Sequence, residues 1–155
     1  MPYSIHVVPD LSCILVNMHG DVDLSDASGV VLGVADVYPS FVGVSVICDV
    51  RKVNVKLSFP EIFELGRVFF SQRTRLTGVK WAMISTTPLE YAAARAAGLV
   101  VPDVAFQYNV VKTSEEACQW AGIPQRRWRE IAQWSDSRLD LSGAVDSRTS
   151  GTTNE

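Results

Sequence analysis

The residues best equipped for chemistry gather at the end of one apolar run. Residues 42–50 read Val-Gly-Val-Ser-Val-Ile-Cys-Asp-Val and stop at a charged cluster of Asp49, Arg51 and Lys52. Asp23, Ser58, Thr87 and Thr113 each stand where a helix is expected to begin, and Lys56 and Lys112 lie close by in sequence. Helix N-termini carry partial positive charge and unsatisfied N–H groups. A rim built from them and from cations would receive a phosphate, a carboxylate or an acidic partner loop. The plainer alternative is that Asp49 and Arg51 pair with each other while the lysines are solvated. A second group, Phe59, Phe63 and Phe70, falls along one helical segment. Such residues could be core, a self-association surface or the wall of an apolar pocket, with the core the commonest place for phenylalanine.

Catalytic signatures are missing. The sequence has no G-x-S-x-G elbow, Walker loop, G-x-G-x-x-G or H-E-x-x-H. Cys48 ends a strand with only Arg51 as a basic neighbour, a poor setting for a nucleophile. His6 and His19 have no acid or nucleophile beside them, and together with three scattered cysteines they make a poor set of metal ligands. No enzyme, metal or cofactor is expected from these residues.

The elements that would position the rim follow from periodicity. The run at 42–50 is almost unbroken and β-branched, the pattern of a strand covered by helices on both faces, so it is expected to be the central strand. Polar residues at its C-terminal end fall where open α/β sheets keep their crevices. Residues 3–8 and 13–18 form a hairpin pattern across Pro9-Asp10-Leu11-Ser12. A helix capped by Asp23 follows, with Leu24, Ala27, Val31 and Val34 on one face; Gly29 and Gly33 would let it approach the sheet, and Pro39 would end it. Residues 51–57 are expected to be a loop. Ser58, Pro60 and Glu61 then form a capping box opening a helix whose core stripe is Ile62, Leu65, Phe69 and Leu76. A strand at 79–84, an alanine-rich helix at 89–97, an edge strand at 105–111 and a helix capped by Thr113 complete the pattern. Residues 125–134 read as a short basic amphipathic helix, with Trp128, Ile131 and Trp134 against Arg126, Arg127 and Arg129.

Three domain-level expectations result: an α/β domain over 1–123, the basic helix over 124–136, and a flexible tail over 137–155 that carries too little apolar area to offset its ordering entropy. Composition agrees with one domain: 155 residues, 47% hydrophobic and 20% charged. A net charge of −3 argues against nucleic-acid binding by the whole surface. No apolar run is long enough to span a membrane, and no signal peptide is evident. The three cysteines are odd in number and form no C-x-x-C, which points to free thiols in a reducing compartment, the cytoplasm.

Strand, strand, helix and then alternating strands and helices resemble the STAS domain of anti-sigma-factor antagonists, and more closely the bacterial STAS-like proteins grouped with CRAL-TRIO lipid carriers. The residues carrying the likeness are Gly20, Cys48-Asp49-Val50-Arg51, Thr87-Pro88-Leu89, Glu116-Ala117 and Trp120, over residues 3 to 123. The resemblance implies a single mixed, mostly parallel five-stranded sheet with about four helices. It also implies a non-enzymatic regulatory module that contacts a protein partner or itself. In phosphorylated members the acceptor serine opens the helix after the third strand, which places it at Ser58; the aspartate and glycine that accompany it there are not present in Lys56-Leu57-Ser58-Phe59-Pro60. The alternative function is carriage or sensing of a small apolar or amphipathic ligand between that helix and the sheet, lined by Phe59, Phe63 and Phe70.

Overall fold

The computed structural model describes residues 2–37, 43–87 and 107–140, the last five of these by backbone alone. The expected helix at 89–97, the start of the last strand at 105–106 and the tail beyond 140 lie outside the described residues.

Five strands form one mixed sheet in sequential order: β1 (Tyr3–Val8), β2 (Cys13–Val22), β3 (Ser45–Val55), β4 (Lys80–Ile84) and β5 (Gln107–Val111). β1 runs antiparallel to β2, and β2 to β5 are parallel. The hairpin, the central β3 and the position of β5 at a sheet edge are as its sequence pattern predicts.

Among the described residues, two helices, α1 (Leu24–Ala35) and α2 (Phe59–Ser71), cover one face. Val30, Val31, Val34, Leu65 and Phe69 pack there on Ile14, Val16, Val46 and Trp81. α1 lies close because it carries glycine where it crosses β1. A Cβ on Gly29 would stand 2.7 Å from the Tyr3 hydroxyl and one on Gly33 2.8 Å from Ile5 Cδ1, so the tip of each side chain would have to move aside. The other face is covered by α3 (Ser114–Ala121) and α4 (Trp128–Asp140). Ala117, Cys118 and Ile131 meet Leu15, Ile47, Ala82 and Ile84 there.

α4 is longer than the basic helix expected at 125–134 and is built into the core. Ile131 is 2% exposed, Trp134 stacks on His6, and the Trp128 indole donates to the Ile123 carbonyl at 2.7 Å. The segment after 123 is thus a layer of the sheet domain. Helix also continues to Asp140, into the stretch expected to be flexible.

Residues 51–57 differ from expectation. β3 does not end at Val50 but continues to Val55, and β2 does not end at Met18 but runs beside it to Val22. The register slips between Asn17 and His19, where β3 carries one extra residue, a bulge that re-aims the strand without ending it. Beyond the bulge Val53 and Val55 point to the α1/α2 side, while Lys52 and Asn54 face water. Asn54 donates to the Asp21 carboxylate of β2 at 2.7 Å across this arm.

Candidate functional site

The long arm splits the expected rim. β4 and β5 end at Ile84 and Val111, level in register with Asp49, whereas β2 and β3 run on to Val22 and Val55. Six further residues of strand span roughly 20 Å. Asp23 and Ser58, with the exposed Lys52 and Lys56, belong to a far tier; Thr87, Lys112 and Thr113 belong to a near one. The cations and helix starts read from the sequence therefore do not converge on one anion-sized place.

The three caps whose helices are described are occupied locally. The Asp23 carboxylate accepts from the Asp26 N–H at 2.9 Å, Ser58 Oγ accepts from the Glu61 N–H at 3.4 Å, and Thr113 Oγ1 accepts from the Glu116 N–H at 3.1 Å. Glu61 returns the bond, accepting from the Ser58 N–H at 3.0 Å, and these contacts hold its carboxyl below the usual range. Ser58 thus serves as a helix cap.

Asp49 is not at a rim at all. It is 1% exposed and lies beneath α4. Arg51 Nε and Nη2 donate to its two oxygens at 3.0 and 2.7 Å, and the Ser135 hydroxyl donates to it from α4. Asn17 Nδ2 donates to the Ser135 carbonyl at 3.4 Å. The chain supplies every partner, so the cluster fastens α4 to the sheet and leaves no carboxylate open to a ligand. The local pairing of Asp49 with Arg51 is the reading that holds.

The three thiols are buried and free. Burial pushes Cys13 up to about 12 and Cys118 to about 11, and it drives Cys48 higher still, with Asp49 adding to the effect. All three are therefore protonated at neutral pH and are not nucleophiles there.

α2 is the element with two distinct sides. Ile62, Leu65, Gly66 and Phe69 face the sheet. Phe59, Phe63 and Phe70 do not join them, in contrast to the core reading: they are 67%, 48% and 46% exposed. Their spacing places all three within a narrow arc of the helix, on its outer flank. Phe59 and Phe63 meet edge to face at 5.5 Å, and the Arg73 guanidinium sits 4.0 Å above the Phe70 ring.

Behind α2 there is an apolar cavity, bounded by α1, α2, the β2–β3 arm, β4 and β5. Atom-free space, counting the mouth open to solvent, amounts to about 710 Å³. The phenylalanines expected to line it are on the other side of the helix; Ile62, Leu65 and Phe69 line it instead, with Val53 and Val55 from the arm. Sequence reasoning placed Ile62, Leu65 and Phe69 on the inward stripe of this helix but missed the arm and with it Val53 and Val55. It also missed Ser85, fully buried at the end of β4, whose hydroxyl has no hydrogen-bond partner among the described residues.

No protein-family model and no curated protein matches the chain. Among solved structures, an uncharacterized protein of the DUF3478 family from Shewanella loihica PV-4, described as having a SpoIIAA-like fold, aligns with a TM-score of 0.53. Identity is 15%, over 77% of this chain and 91% of that one. The fold is SpoIIAA-like. The STAS resemblance carried by the sequence therefore holds for the architecture, and at this identity it speaks to architecture alone. In this SpoIIAA-like chain the helix after the third strand is α2, the one whose outer flank is aromatic. No helix among the described residues is long and apolar enough to cross a membrane.

Proposed function

We propose that this SpoIIAA-like protein is a non-catalytic regulatory module of the bacterial cytoplasm that binds a protein partner through the outer flank of α2. The observation that carries this reading is the exposed row Phe59, Phe63 and Phe70. Large aromatics held on a rigid helix are efficient contact residues, because they bury much area at little cost in side-chain entropy. Arg73 lies over Phe70, and Lys56 precedes the same helix, so the row ends in cations. A partner fitting this face offers an apolar groove with acidic residues at its margin. Protonated thiols and the sealed Asp49 cluster support the non-catalytic part of the reading, and free thiols accord with a reducing compartment.

The test is affinity capture from the native host with wild-type protein and with Phe63→Ser, both checked for equal melting temperature. A protein retained by the wild type and lost by the variant is the expected result. Identical captures, or none, would remove α2 as the recognition face.

A further inference from the structure

The cavity behind α2 has a chemistry of its own, independent of the outer flank. Three sulfur-bearing side chains reach it from three adjacent strands: Met18 from β2, Cys48 from β3 and Met83 from β4. Cys48 Sγ lies 3.8 Å from Met18 Sδ. Phe69, Trp81 and Tyr108 add aromatic surface. No Asp, Glu, Lys, Arg or His is among the described residues that line it. The Trp81 indole N–H is already spent on Met83 Sδ at 3.3 Å. Burial raises the Cys48 thiol, so it too contributes as a neutral group.

We infer that this cavity is a binding site for a compact, neutral, apolar molecule, of which an aromatic ring is the best-fitting kind. Size sets the first limit. The enclosed part of the cavity is about 90 Å³. That is room for a cluster of several waters, and so for a molecule of roughly six to nine non-hydrogen atoms. A long acyl chain does not fit within it. Polarity sets the second limit. A charged ligand would surrender its hydration to described walls that offer no countercharge, which is strongly unfavourable. Shape sets the third. Thioether and thiol sulfurs make favourable contacts with ring edges, and Met side chains adapt to the outline of what they meet. Phe69 and Trp81, already edge to face at 5.1 Å, present a ready-made aromatic wall.

The location of the site follows from the arm. Val50, Val53 and Val55 of β3 extend the floor beyond the ends of β4 and β5, and α2 roofs it through Ile62 and Leu65. Packed interiors normally leave few voids larger than a water molecule. A void lined this uniformly by apolar groups stays dry and accepts apolar guests.

Methionine-methyl NMR of the full chain, titrated with toluene, tests the assignment. Met18 and Met83 both line the cavity and report on it directly. Saturable shifts of both methyls are expected. No shift up to the solubility limit of toluene would overturn the site, as would shifts that grow without saturating. Val53→Phe projects a ring into the space and should abolish the response while the protein stays folded; an unchanged response in that variant would also overturn the assignment. If Val53→Phe does not fold, the wild-type titration still decides. Neither readout involves a protein partner, so failure here leaves the α2 flank reading standing, and the reverse is equally true.

Discussion

The two faces of the sheet are covered in opposite ways. On the α3/α4 face the cover is tight and partly polar: Ile131 and Cys118 are buried in the core, and Asp49, Arg51, Ser135 and Asn17 form a closed network that pins α4. On the α1/α2 face the described cover is apolar, and it leaves a cavity beneath α2 and three phenylalanines above it. A closed polar network tolerates little displacement, because any shift strands a buried charge. An apolar contact next to a void can slide at small cost. The difference teaches that a charged pair on the central strand does not make a site. Asp49 and Arg51 lie mid-strand, because β3 runs on to Val55, and they tie the sheet to α4; the exposed aromatic row proposed for recognition stands on the helix that follows.

The strongest way to break this comparison is Arg51→Leu. It leaves the buried Asp49 carboxylate without its cation, and loss of one partner of such a pair costs about 3 kcal/mol. Urea unfolding should show a loss of that order; a change below about 1 kcal/mol would mean that the network does not hold α4. Next in size is Ser85→Ala. Its buried hydroxyl is unpartnered among the described residues, and an unmade hydrogen bond costs about 1–3 kcal/mol, so the variant should gain about 1 kcal/mol in the same measurement. A loss would show that the hydroxyl is engaged. Smaller again is Phe63→Ala, which should change stability by no more than about 0.5 kcal/mol because the residue is about half exposed and lies outside the core. A cost of several times that would return the phenylalanine to the core.

The smallest effect concerns pH. Arg127 hydrogen-bonds Asp10 and Glu130 and holds both carboxyls below their usual values. Their contribution to stability is therefore present above the unfolded values near pH 4 and is lost as pH falls through the lower folded ones. All three groups are at the surface, so the effect is slight and salt weakens it. Arg127→Gln should flatten this part of the acid limb of a melting-temperature profile without altering the neutral plateau by more than a degree or two.

Much of the fold was legible because its signals are local. The unbroken β-branched run of β3, the capping boxes at Asp23 and Ser58, and the half-polar pattern of β5 each report a single element's surroundings. The arm was not legible for a definite reason. After Val50, the charged Arg51 and Lys52 interrupt the apolar run, and the bulge there shifts the alternation by one residue. Past the bulge, Val53 and Val55 against Lys52, Asn54 and Lys56 form a period-two pattern that marks a strand with one wet face. Reading the two stretches as one strand with a bulge would have extended β3 and moved the helix starts to separate levels. The outward direction of Phe63 and Phe70 was harder to see. Composition places them beside the core stripe, and only the packed position of α2 decides which flank meets the sheet.

The most direct measurement is photocrosslinking in the native host from two positions. A benzophenone side chain replaces Phe63 on α2 in one protein and the exposed Arg129 on α4 in another. The account predicts one discrete crosslinked species from position 63 and none from position 129. Crosslinking from 129 with silence at 63 would contradict it and transfer recognition to the face now described as structural.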